Sequence, residues 1–118
     1  MKRILLVDDN PANRELLREI LELDLYEVHE AEDGLDAVRL YKALQPDLTI
    51  LDLQMPGLDG FQTLLQILNC NQNALVAAVT AFAMRGDRER ALAAGFQEYI
   101  TKPVEMTHLR SRVRKLLS

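Results

Sequence analysis

Short apolar runs and longer stretches of helical period alternate along the chain, and this alternation predicts successive β-α units around a parallel sheet. Arg3–Val7 is almost entirely apolar, as a strand buried on both faces should be, and Asn10-Pro11 then supplies a helix cap and a proline suited to a first turn. The first helix should run to about Leu23. Tyr26–Ala31 is a weaker strand, interrupted by Glu27, His29 and Glu30, and its polarity suits a sheet edge. Asp33-Gly34 opens a second helix carrying Leu35, Val38, Leu40 and Tyr41 toward Leu44, and Pro46-Asp47 breaks it. Leu48–Leu51 is a third strand ending at Asp52, followed by a loop over 54–60 and a helix over about Phe61–Asn69. Leu75–Val79 makes a fourth strand ending at Thr80. Arg85-Gly86-Asp87 opens a helix that Gly95 should close as a left-handed cap. Glu98–Thr101 is a short fifth strand before Lys102-Pro103, and Glu105–Leu117 a last helix with Leu109, Val113, Leu116 and Leu117 at helical spacing.

At 118 residues, 48% hydrophobic, the chain is sized for one core, so residues 1–118 are expected to form a single domain with a single site. The net charge of −4, with acidic and basic residues interspersed, argues against a direct electrostatic grip on nucleic acid or anionic lipid. Cys70 is the one cysteine and cannot pair within the chain, MKRILLVDD is not a signal peptide, and no apolar run approaches the roughly 20 residues that span a bilayer. A cytoplasmic, soluble protein is expected. Met1 followed directly by Lys2-Arg3 and the first strand favours a stand-alone protein over a fragment of a larger one.

The residues with chemical potential gather at strand ends: Asp8 and Asp9 at the first, Asp52 at the third, Thr80 at the fourth and Lys102 at the fifth. In an open parallel sheet all of these lie on the edge where ligands bind. Three carboxylates in one cleft repel one another unless a cation neutralises them, and an oxygen-only donor set without His or Cys favours a hard ion, Mg²⁺ rather than Ca²⁺, with Mn²⁺ able to substitute. Asp9 and Asp52 are the expected primary ligands, the backbone carbonyl of Gln54 a third, and Asp8 a partner acting partly through water. Lys102 adds a positive charge that can pair with a carboxylate at rest and with a phosphoryl oxygen later. Such a site can bring a phosphoryl donor in line with a carboxylate and form an acyl phosphate. His29 and His108 lie away from the acidic edge and read as surface residues, which leaves no Ser-His-Asp or Cys-His arrangement. Cys70, near a helix end, reads as inert.

Four segments, Leu6-Val7-Asp8-Asp9-Asn10, Leu51 to Gly60, Val79-Thr80-Ala81 and Tyr99-Ile100-Thr101-Lys102-Pro103, together resemble the receiver domain of two-component response regulators, over essentially the whole chain. The resemblance implies a flavodoxin-like doubly wound (βα)5 sandwich with parallel strand order 2-1-3-4-5, the order of the bacterial chemotaxis regulator. It implies that Asp52 is phosphorylated by a sensor histidine kinase or histidine phosphotransfer protein. Asp8 and Asp9 match the metal-binding pair, Lys102 the phosphoryl-contacting lysine, and Thr80 and Tyr99 the switch pair that alters the face of helix four, strand five and helix five. Gln54 and Phe82 occupy the family's tuning positions for phosphoryl lifetime, and apolar Phe82 is expected to slow self-dephosphorylation. The stretch 81–90 is more similar to receivers of hybrid kinases, or to small stand-alone regulators, than to those of DNA-binding regulators. The downstream target is unspecified, and a monomer or a weak phosphorylation-dependent dimer is expected.

Taken alone, Asp8-Asp9 reads equally as a charge cluster at a helix start, Met55-Pro56-Gly57 as a plain turn, Thr80 as an ordinary strand residue and Tyr99 as core. Two other functions compete: a pseudo-receiver that binds without phosphorylation, and a phosphohydrolase with an aspartyl-phosphate intermediate. The latter usually carries a second acid two residues beyond the nucleophile, where this chain has Gln54.

Overall fold

A computed structural model describes residues 1–118 apart from Pro56, Leu58 and 82–84. Ten elements alternate along it: β1 (Arg3–Val7), α1 (Pro11–Glu22), β2 (Glu27–Ala31), α2 (Gly34–Leu44), β3 (Leu48–Asp52), α3 (Gly60–Cys70), β4 (Val76–Thr80), α4 (Asp87–Ala94), β5 (Glu98–Thr101) and α5 (Met106–Leu117). The strands form one parallel sheet in the order β2-β1-β3-β4-β5, as the resemblance implied. None of the described helices is long and apolar enough to cross a membrane.

Because successive strand residues point to opposite faces, each strand feeds two cores. Leu5, Val7, Leu51, Val76 and Ala78 pack with Tyr41, Leu64, Ile67 and Ala91 from α2, α3 and α4. Ile4, Leu6, Ile50, Ala77 and Val79 pack with Leu17, Leu21, Leu109 and Val113 from α1 and α5. β3 and β4 are buried at every position, which is why they read as unbroken apolar runs. β2 does lie at an edge, and its polar residues are paired there: Glu27 with Arg3 at 2.7 Å and with His29 at 2.8 Å, and Glu30 with Arg18 at 2.6 Å.

Differences from the sequence reading concern element ends and have local causes. Asp59 and Gln62 form a reciprocal capping box, so α3 begins at Gly60 instead of Phe61. Only glycine fits at that position, since a Cβ there would stand 2.7 Å from the Leu53 Cα. Glu105 is the N-cap of α5, not its first residue, and its carboxylate accepts from the N–H groups of Thr107 and His108 at 3.0 and 2.7 Å. Gly95 has φ +122°, positive as expected but outside the left-handed helical basin. Leu25 (φ +65°) and Gln45 (φ +46°) take left-handed turns that no glycine announces.

Candidate functional site: an acidic cleft at the carboxyl ends of the strands

Register brings the site together. Val7 pairs with Leu51, so Asp8 comes off β1 level with Asp52 at the end of β3; Asp52 in turn lies beside Val79, and Thr80 beside Thr101. Asp8, Asp9 and Lys102 fall one or two residues beyond their strands instead of ending them. Their placement on one edge is as expected. One carboxylate oxygen from each of Asp8, Asp9 and Asp52 lies within 4.8 Å of the other two. Asp8 and Asp52 are buried, at 1% and 4% exposure, while Asp9 is exposed at the mouth.

Lys102 Nζ spans the two buried acids, 3.3 Å from Asp8 Oδ2 and 3.2 Å from Asp52 Oδ2. Backbone groups take the other oxygens: the Asn10 N–H donates to Asp8 Oδ1 at 2.9 Å and the Gln54 N–H to Asp52 Oδ1 at 3.0 Å. Burial pushes the Asp52 carboxyl above its ordinary range, and Asp8 adds to this against the opposing pull of the Gln54 N–H and Lys102. For Lys102, burial works to lower the ammonium, but Asp52 and Asp8 outweigh it and hold the lysine above its usual value. Three carboxyl groups thus face a single ammonium in the cleft. All-oxygen donors converging in that way fit a hard divalent cation.

Thr80 is buried at 1% exposure at the end of β4, and the Lys102 N–H donates to its carbonyl at 2.8 Å, tying β5 to β4 beside the cleft. Tyr99 points inward. It is 6% exposed and packs in the core beneath α4, and its hydroxyl has no hydrogen-bond partner among the described residues. Phe82 lies outside the described residues, as do Pro56, Leu58 and part of the 81–90 stretch. His29 on β2 pairs with Glu27, and His108 on α5 and Cys70 at the end of α3 are exposed, none of them in the cleft.

Two contributors escaped sequence reasoning. Arg14, one turn into α1, donates to the backbone carbonyl of Asp8 at 2.7 Å while holding Glu30 at 3.3 Å, which fixes the loop after β1. The Gln54 side chain, read only as a tuning position, donates from Nε2 to Thr80 Oγ1 at 2.5 Å and accepts from the Ala81 N–H at Oε1 at 3.1 Å. An arginine among several on a helix and an amide in a loop carry no local signal of either contact. A surface cleft of about 630 Å³ lies at the opposite end of the sheet, between residues preceding β3 and β4. No converging acids line it, so the chemistry rests with the carboxylates.

A doubly wound parallel sheet with three carboxylates and a lysine at its carboxyl edge defines the class of α/β proteins whose polar site lies at the strand ends. Residues 4–114 match the response regulator receiver domain, and the chain belongs to that family of phosphorylation-activated two-component switches. It is 36% identical to the chemotaxis protein CheY of Halobacterium salinarum, over 99% of this chain and 98% of the relative. It is 33% identical to the polar-differentiation response regulator DivK of Brucella anthropi, over 98% and 96%. The solved response regulator TrrA of Thermotoga maritima, in complex with Mg²⁺ and BeF, superposes with a TM-score of 0.90 at 37% identity, over 99% and 100% of the chains.

Proposed function

We propose that residues 1–118 act as a single receiver domain in which Asp52 accepts a phosphoryl group from a sensor histidine kinase or histidine phosphotransfer protein. The observation that carries this reading is the clustering of Asp8, Asp9 and Asp52 within 4.8 Å, with Lys102 bonded to both buried acids. Asp8, Asp9 and Asp52, with the Gln54 backbone carbonyl, would hold Mg²⁺ or Mn²⁺. When bound, the cation offsets the carboxylate repulsion and the charge on the phosphoryl oxygens.

An Asp52 oxygen attacks the phosphorus of the donor, a new O–P bond forms as the N–P bond of the phosphohistidine breaks, and the electron pair returns to the imidazole ring. Lys102 follows the developing charge from the carboxylate to the phosphoryl oxygens. The protein assists its own phosphorylation and dephosphorylation in this way and is not an enzyme acting on a separate substrate. Thr80 and Tyr99 are the switch pair, acting on the face of α4, β5 and α5. That face engages a protein target, with no direct contact to nucleic acid or membrane, in a cytoplasmic monomer or a weak phosphorylation-dependent dimer. Gln54 and Phe82 set the phosphoryl lifetime, so Phe82→Glu should speed its decay; an unchanged decay rate would refute that role.

Incubation with Mg²⁺ and acetyl phosphate, followed by intact mass, tests the reading. Gain of one phosphoryl group by the wild type, lost in Asp52→Ala and without metal, is the expected result. No gain under any condition, with no beryllofluoride binding, would leave a pseudo-receiver.

A further inference from the structure

Gln54 is joined to the cleft twice. Its backbone N–H donates to Asp52 Oδ1 at 3.0 Å, and its side chain reaches across to the end of β4, donating to Thr80 Oγ1 at 2.5 Å and accepting from the Ala81 N–H at 3.1 Å. The orientation of the amide follows from chemistry: the Ala81 N–H can only donate, so Oε1 must face it, and the NH2 group is left for the threonine. Thr80 is buried, whereas Gln54 and Ala81 are exposed, so the amide closes over the β4 end from the solvent side. The described residues include no other acceptor for the Ala81 N–H.

A phosphoryl group on Asp52 brings three strong acceptor oxygens to the same strand edge as the Thr80 hydroxyl and the Ala81 N–H at the end of β4. We infer that the Gln54 side chain is a clasp that holds Thr80 and Ala81 in the resting arrangement, and that a phosphoryl group on Asp52 gains these partners only by displacing the amide. The inference rests on the reading of Asp52 as phosphoacceptor. It makes Gln54 a positioning residue that sets how strongly phosphorylation is opposed at rest. Its effect runs through two named hydrogen bonds, not through bulk or the access of water.

Gln54→Met keeps the length of the side chain and removes both bonds, so it separates bonding from bulk. Loss of two hydrogen bonds, part of which solvent regains, should give roughly tenfold tighter beryllofluoride binding in excess Mg²⁺, read by titration calorimetry. In a Thr80→Val background only the Ala81 bond is left to lose, and the gain should fall to about threefold; in Thr80→Ser, which keeps the hydroxyl, about tenfold should return. Amide hydrogen exchange at Ala81 in the ligand-free protein should accelerate on Gln54→Met, a change that a bulk effect would not produce. Equal gains in the threonine and valine backgrounds, unchanged or weaker binding by Gln54→Met, or unchanged exchange at Ala81 would each overturn the clasp. Failure of the wild type itself to bind beryllofluoride would overturn the phosphoacceptor reading, and the competition with it.

Discussion

Replacing Asp52 with Asn should stabilise the metal-free protein. At the 4.8 Å that bounds their separation and an effective dielectric of about 20, two carboxylates repel by roughly 3.5 kcal/mol, and exposed Asp9, screened by water, adds about 1 kcal/mol. Lys102 at 3.2 Å attracts by about 5 kcal/mol on the same scale, so the pairwise charges nearly cancel. What is left is the penalty for holding an ionised carboxylate at 4% exposure, several kcal/mol by general experience. The asparagine keeps an acceptor for the Gln54 N–H and leaves Lys102 bonded to Asp8, but forfeits a charge-assisted hydrogen bond of about 1.5–3 kcal/mol. The expected balance is a gain of about 1–2 kcal/mol. With roughly 2.1 cal/mol/K of unfolding entropy per residue over 118 residues, that raises the melting midpoint by about 4–8 °C.

The pH dependence has a definite sign. Since burial raises the folded-state value for Asp52, the wild type loses stability as pH rises from the ordinary carboxylate range through that raised value. The gap between variant and wild type should therefore be near zero in acid and open toward neutrality. Differential scanning calorimetry in a chelating buffer, across pH and then with Mg²⁺, is the assay. Added Mg²⁺ should raise the wild-type midpoint more than the variant's, because the cation binds only the folded cleft. An Asp52→Asn midpoint equal to or below the wild type at neutral pH without metal would refute the reasoning.

Lys102→Met should slow phosphorylation by acetyl phosphate roughly 10²-fold, by analogy with loss of one charge-stabilising donor, as read by intact mass over time. Leu64→Ala, at a fully buried position of α3, should cost about 2–5 kcal/mol in urea unfolding. Asp59→Ala removes the capping box of α3 and should cost about 1 kcal/mol in the same assay. Hydrogen bonding from Arg110 lowers Asp24, so their link stabilises above the ordinary carboxylate range and is lost as pH falls through the depressed value; Arg110→Met should flatten the acid limb of the stability profile.

Much of this protein is written in local sequence. Apolar runs of strand length mark the central strands, and caps such as Asn10 and Asp33 mark helix starts because the side chain bonds an N–H only three residues away. The acids at strand ends were legible for a related reason: parallel strands joined by helices all finish on one edge, so Asp52, Thr80 and the residues just after β1 and β5 had to meet there. The strand order itself came from resemblance, since periodicity does not say which strands are neighbours.

Tertiary structure alone decided the contacts whose geometry depends on register and rotamer. Lys102 reaches Asp8 across 94 positions of chain, and the Gln54 amide reaches Thr80 across 26. Arg14 could have been one more solvated arginine, yet the packing of α1 against the sheet aims it at the Asp8 carbonyl. Tyr99 has an apolar ring and a polar tip, so sequence leaves its direction open; the space beneath α4 turns it inward and leaves its hydroxyl without a partner among the described residues. Residue types and their spacing thus specified which groups gather at the cleft, while packing determined which of them hold one another.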